Sequence, residues 1–236
     1  MTAGPRGFVI AIDGPSGAGK STAGRALARR LGYTFIDTGA MYRALALRAI
    51  DDGVEPGLEE PLARLAEAAR IELDEGGNEG GARVRLDGVD VTARIRSREV
   101  SAMASRVSVH PRVRSAMVTR QRELGRAGGV VLDGRDIGTA VFPDADVKFY
   151  LDADATRRAR RRYAELGAAG VSTDLGLIER EIRERDHTDS TRADSPLVRA
   201  PDAVLLDTTL LSPEEVVERM IETVAARAKG SHGDHG

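Results

Sequence analysis

The segment Gly14-Pro15-Ser16-Gly17-Ala18-Gly19-Lys20-Ser21-Thr22 constrains this chain more than any other stretch in it. It satisfies G-x-x-x-x-G-K-[ST] at every fixed position and directly follows the apolar run Phe8-Val9-Ile10-Ala11-Ile12-Asp13, the strand-to-helix setting that such a loop requires. Its glycines let backbone N–H groups crowd around an anion, and the helix opening at Gly19 adds the positive end of its dipole. The implied chemistry is a cradle for a nucleoside triphosphate. Residues 14 to 22 surround the phosphates, Lys20 reaches the β- and γ-phosphates, and the Ser21 hydroxyl holds Mg²⁺.

Further runs rich in β-branched and apolar residues recur at Val9 to Asp13, Thr34 to Asp37, Val130 to Asp133, Val147 to Leu151 and Ala203 to Asp207. Helical patterns fill most of the intervals: Gly19 to Leu31, Gly39 to Asp51, Leu58 to Arg70, Pro111 to Arg126, Ala155 to Leu166, Asp174 to Asp189 and Pro213 to Lys229. Strands alternating with helices predict an α/β fold on a five-stranded parallel sheet flanked by helices. Carboxylates gather at the C-terminal ends of these strands, the edge where open α/β sheets bind ligands. Residues 71 to 96 break the pattern. Ile71 to Asp74 and Ala82 to Asp87 alternate with period two around Glu75 to Gly81, and Gly88 to Thr92 reads as another short strand, so a small antiparallel β insertion is expected here.

The 41% hydrophobic and 31% charged residues are those of a soluble globular protein. No apolar run approaches the ~18 residues of a membrane span, there is no secretory layout at the start, and the absence of cysteine excludes disulfide and thiolate chemistry. A cytoplasmic location and no membrane partner are expected. Of 35 basic residues only Lys20, Lys148 and Lys229 are lysines; the rest are arginines, yet the net charge is −2. A nucleic-acid binder would carry a net basic domain, so no nucleic-acid partner is expected. The sole asparagine is Asn78, followed by Glu79, which removes the Asn-Lys-x-Asp base reader of a GTPase. His232 and His235 in the Gly-rich tail, residues 230–236, make a poor metal site, and that tail is expected to be disordered.

Beyond the loop, Asp37-Thr38-Gly39-Ala40-Met41-Tyr42-Arg43 gathers a carboxylate, a hydroxyl and an arginine at a strand-to-helix turn, a plausible anion site. Ser105, the basic Pro111-Arg112-Val113-Arg114, and the strand end Asp133-Gly134-Arg135-Asp136-Ile137-Gly138-Thr139 follow. The densest arginines are Arg157, Arg158, Arg160, Arg161 and Arg162, with Arg180, Arg183, Arg185 and Arg192 later. Phosphoryl transfer needs cations on the equatorial oxygens, and a mobile arginine-bearing segment delivers them while expelling water.

These segments, with Val141-Phe142-Pro143-Asp144-Ala145 and Glu184-Arg185-Asp186 through Arg192, resemble the bacterial cytidylate kinases, a nucleoside monophosphate kinase family, from about Val9 to about Ala226. The resemblance implies a P-loop nucleoside monophosphate kinase fold in one domain: a core at about 8–70 and 97–229, the insertion at 71–96, and a lid at about 155–192 bearing Arg157, Arg158 and Arg161. It implies phosphorylation of CMP and dCMP by ATP with Mg²⁺; a monomer is the default expectation. Lys20, Arg135 and Arg192 would be catalytic. Thr38, Arg43, Ser105, Arg114, Arg135, Asp136, Arg185, Asp189 and Arg192 would bind the acceptor, with Ser105, Arg114 and Asp136 at the cytosine. Ser21, and Asp133 through water, would serve the metal, although Asp37 holds a similar strand-end position. Thr38 stands where the family often has Ser, and His187-Thr188 and Ser190-Thr191 replace a more charged stretch. A kinase of another small acceptor on the same core is the alternative, and a nucleotide-gated RNA-binding module is a more distant one.

Overall fold

The computed structural model describes residues 7–74, 83–168 and 170–231. Its elements in chain order are β1 (Val9–Asp13), α1 (Lys20–Leu31), β2 (Thr34–Asp37), α2 (Thr38–Asp51), α3 (Glu59–Ala68), β3 (Ile71–Asp74), β4 (Arg83–Leu86), β5 (Val89–Asp90), α4 (Arg98–Val107), α5 (Pro111–Gly125), β6 (Val130–Asp133), β7 (Val147–Asp152), α6 (Ala155–Ala168), α7 (Leu175–Thr191), β8 (Val204–Asp207) and α8 (Pro213–Ser231). Two sheets form, one of five strands in the order β2-β6-β1-β7-β8 and one of three in the order β3-β4-β5. This is the α/β fold with a small antiparallel insertion that the apolar runs predict.

The chain divides into two compact units, residues 1–33 with 128–236, and residues 34–127. In the first, β1 is central: it runs parallel to β6, with Ile12 opposite Asp133, and parallel to β7, with Ile12 opposite Phe149. All five residues of β1 and all four of β6 are buried, because parallel strands covered by helices on both faces have no solvent side. β8 continues the sheet beside β7 with Leu206 opposite Leu151. Val216, Val217, Met220 and Val224 are the buried stripe of α8, and Ala159, Ile178 and Ile182 pack α6 against α7.

In the second unit the buried Met41, Leu45, Leu62, Val107, Val113 and Met117 form one core, and the three-stranded sheet contributes Val84 and Leu86 to it. β4 reads exposed, buried, exposed, buried, the alternation of a strand with one wet face. Asp87 and Gly88 join β4 to β5 with φ of 51° and 83°, the paired left-handed conformation of a tight Asp-Gly hairpin turn. The insertion is therefore continuous with the core of its unit.

Three features differ from the sequence reading. Helix α4 is unforeseen, although Ser97 caps it through Val100 N at 3.2 Å and Val100, Met103, Ala104 and Val107 are its buried stripe. A π-turn occupies Ile137–Val141. Gly230 and Ser231 extend α8 rather than lying in a disordered tail; residues 232–236, with both tail histidines, and the loop Glu75 to Gly81 lie outside the described residues. Among the described residues no helix is long and apolar enough to cross a membrane.

Candidate active site

The loop between β1 and α1 departs from ordinary backbone where the sequence places glycine. Gly14 has a φ of 142°, and a Cβ there would lie 2.0 Å from the Leu151 carbonyl oxygen, so neither the conformation nor the space admits a side chain. Gly19 opens α1 from the left-handed region with a φ of 92°. Lys20 is buried, and its Nζ donates to the Pro15 carbonyl at 2.7 Å. Burial, and then the neighbouring Arg135, lower its ammonium to about 7, against the opposing pull of Asp133, Asp13 and Asp189. A buried cation so weakened is poised to be stabilised by arriving phosphates.

Ser21 Oγ donates to Asp133 Oδ2 at 2.5 Å, joining the first turn of α1 to the end of β6. Asp133 is itself buried. Asp37, the rival strand-end carboxylate, is committed elsewhere: its Oδ1 caps α2 by accepting Ala40 N at 2.8 Å, and its Oδ2 lies 3.1 Å from Arg43 Nη2.

One residue whose role the sequence did not disclose is Asp13, at the last position of β1. Its Oδ1 and Oδ2 accept the N–H groups of Ile137 and Gly138, each at 2.7 Å. The carboxylate braces the π-turn that directly follows Arg135 and Asp136. Burial pushes its carboxyl up to about 6; the two N–H donors lower it, Asp136 raises it and Lys20 lowers it. The only sequence signal was its place at a strand end.

Around this turn charges alternate. Arg135 Nε donates to Asp189 Oδ2 at 2.6 Å, and Arg192 Nη2 lies 3.6 Å from Asp136 Oδ1. The side chains of Asp189, Arg192 and Asp136 are 6%, 4% and 9% exposed, a degree of burial that charges tolerate only in such mutual company. Burial alone would raise the Asp189 carboxyl, but Arg135, Arg185 and Arg192 outweigh it and hold it below the ordinary range. Arg192 Nε also donates to the Ser195 carbonyl at 2.7 Å, across a turn in which Ser195 has a φ of 48°.

These contacts decide a chemical class. A glycine-rich loop in positive-φ backbone, a buried lysine, a hydroxyl–carboxylate pair and a cluster of arginines held by acids converge at the C-terminal ends of β1 and β6, where parallel sheets bind nucleotides. The model of the family described as cytidylate kinase matches residues 10–226. The chain belongs to the cytidylate kinase family. A cytidylate kinase of Symbiobacterium thermophilum is 52% identical over 221 residues, 94% of this chain and 97% of that relative. That of Geobacillus kaustophilus is 51% identical over 222 residues, 94% and 98% of the two chains. Among solved structures, a gluconokinase from Sinorhizobium meliloti aligns with a TM-score of 0.50 and 16% identity over 98% of this chain and 100% of that one; that likeness shows the fold alone.

The other residues that the sequence singles out for the site fall in two places. In the unit 34–127, Thr38 is buried in the first turn of α2. Arg43 pairs with Asp37 across Gly39, where a Cβ would lie 3.1 Å from Arg43 Nη1. Arg114 is buried and its Nη1 donates to the Ser108 carbonyl at 3.3 Å, while Ser105 accepts Ser108 Oγ at its carbonyl at 2.9 Å. In the other unit three arginines of α6 are bound to carbonyl oxygens. Arg157 Nε donates to Thr209 at 3.1 Å, Arg161 Nη2 to Thr208 at 2.5 Å, and the buried Arg158 to both Ala153 and Ser16. Thr208, which the sequence reading passed over, donates its hydroxyl to the Ala18 carbonyl of the loop at 2.9 Å.

Proposed function

We propose that this kinase transfers the γ-phosphoryl group of ATP to CMP and dCMP. The bond from the γ-phosphorus to the β,γ-bridging oxygen breaks as a bond to an acceptor phosphate oxygen forms, giving ADP and CDP or dCDP. The acceptor is already an anion at neutral pH, so no general base is needed; the protein aligns two polyanions and neutralises them. Residues 14 to 22 hold the donor phosphates, and Lys20 carries charge to the β- and γ-oxygens. The single observation that supports this most is the buried alternation of Arg135, Asp189, Arg192 and Asp136 beside the loop, because an arginine held by a carboxylate is pre-aimed for a phosphate without being neutralised in bulk water.

Ser21 and Asp133 fit Mg²⁺: a hydroxyl and a buried carboxylate 2.5 Å apart are hard oxygen donors. Among the described residues no group of three or more His, Cys, Asp or Glu side chains forms a metal cage, and Mg²⁺ in phosphoryl-transfer sites is held by one or two protein oxygens with phosphates and water. Held by Ser21 and Asp133, the ion would supply positive charge to offset the negative charge of the reacting phosphates.

In this reading Arg43 and Arg135 bind the acceptor phosphate with Arg192, Arg185 and Asp189 serve its sugar, and Thr38 supplies a hydroxyl. Ser105, Arg114 and Asp136 read the base. Cytosine offers an amine beside a ring-nitrogen acceptor, which a carboxylate and a donor satisfy together. Uracil places a carbonyl against the carboxylate, and that mismatch costs about 1–3 kcal/mol. The lid arginines, a monomeric state and a cytoplasmic location belong to the same reading.

An acceptor panel of CMP, dCMP, UMP, AMP, GMP and a hydroxylated non-nucleotide acid, read by ADP release, tests it. Wild type should prefer CMP and dCMP by at least about tenfold over UMP, and Asp136→Ala should lose that preference. A wild-type preference for another acceptor overturns the assignment, and an unchanged profile in the variant removes Asp136 from base reading.

A further inference from the structure

A loop that turns its N–H groups toward phosphate turns carbonyl oxygens the other way, and buried carbonyls need donors. Pro15 O accepts Lys20 Nζ, and Ala18 O accepts Thr208 Oγ1. Ser16 O accepts Arg158 Nη1 at 3.0 Å, a donor that comes from α6. The same guanidinium donates through Nε to the Ala153 carbonyl at 2.8 Å and through Nη2 to Asp186 Oδ2 at 2.6 Å. One planar fork thus joins the phosphate loop, the end of β7 and helix α7.

The partner on α7 depends on that fork. Asp186 Oδ1 is buried with no hydrogen-bond partner among the described residues, so the carboxylate leans on Arg158 for compensation, and breaking such a pair leaves a costly charge behind. Asp186 also stands three residues before Asp189, on the same helix face, and Asp189 is the carboxylate that holds Arg135. Arg185 adjoins it, and Arg192 directly follows α7.

We propose that Arg158 and Asp186 are a positioning pair that couples occupancy of the phosphate loop to the setting of α7, so that donor and acceptor nucleotides bind cooperatively. Phosphates that order the loop fix the Ser16 carbonyl. The rigid fork then fixes Asp186, and with it the helical turn that carries Asp189 against Arg135. Lysine cannot replace this fork, since an ammonium has no fixed planar geometry spanning three acceptors. The proposal rests on the acceptor roles given above to Arg185, Asp189 and Arg192, and nothing in it requires Arg158 to touch either nucleotide.

The test is calorimetric titration of CMP into the protein with and without saturating Mg²⁺ and ADP, and of ADP with and without CMP. Wild type should bind CMP about fivefold or more tightly when ADP is present, with the same factor in the reciprocal titration. Arg158→Lys and Asp186→Asn should each bring that factor to within about twofold of unity, and the double variant should lose no more than either single one. Asp186→Asn keeps the shape of a side chain that is 25% exposed and serves if Arg158→Lys does not fold. A factor near unity in wild type overturns the proposal, as do variants that melt earlier yet keep the wild-type factor. Wild type that binds ADP and not CMP would instead refute the acceptor roles on which the pair depends.

Discussion

Lys20 is the residue at which electrostatics and function meet most directly. Its ammonium, lowered to about 7 by burial and by Arg135, gives up its proton far more readily than an ordinary lysine before nucleotide arrives. Phosphates restore the charged form, because an opposite charge at close range favours it. Binding of ADP at pH 7.5 should therefore take up protons, and Lys20→Arg, which stays charged throughout, should take up fewer by a sizeable fraction of one proton. Calorimetry in buffers of differing ionisation enthalpy measures the difference, and equal proton uptake by the two proteins contradicts it. The identity of Lys20 was legible in the motif. The weakened charge was not, since Arg135, Asp133 and Asp189 come from segments more than a hundred residues away in the chain.

At the scale of elements, α2 shows how one carboxylate serves both a helix cap and an arginine proposed to bind the acceptor. Asp37 caps α2 through Ala40 N and holds Arg43, whereas Ser97 only caps α4. Asp37→Ala and Ser97→Ala should each cost about 1 kcal/mol of stability, seen in urea unfolding. Asp37→Ala alone should also raise KM for CMP severalfold with kcat less affected, because Arg43 loses its aim. An equal KM in both variants separates Asp37 from acceptor binding. The boundaries of α1, α2, α5 and α8 were readable to within a residue or two from glycine stops, proline starts and apolar spacing. α4 carried its own local signals, the Ser97 cap and a buried apolar stripe, yet the sequence reading assigned no element between residue 96 and Pro111. The π-turn had no local signal at all: it is held by Asp13, 124 residues away from Ile137.

For the whole molecule, Asp13 links that brace to global stability. Unfolded, its carboxyl titrates at the ordinary 3.8, and folded at about 6. Between those values the folded chain keeps a proton that the unfolded chain has released. Its contribution is therefore full below about 3.8 and is lost as pH rises through 6. Asp13→Asn has no such titration. The stability of wild type relative to this variant should fall by up to about 3 kcal/mol between pH 4 and pH 7, and urea unfolding at intervals across that range reads it. A difference that stays flat would show that Asp13 is not titrating in the fold.

The chain's own order of apolar runs, glycines and caps determined the parallel α/β plan, the phosphate loop and the location of the antiparallel insertion, because those choices rest on preferences acting over a few neighbouring residues. Only the tertiary structure decided which charges meet. Arg135 finds Asp189 across 54 residues and Arg158 finds Ser16 across 142, and no local rule selects such partners. Sheet order brings those strand ends and helices together, and burial then makes each unpaired alternative too costly to persist.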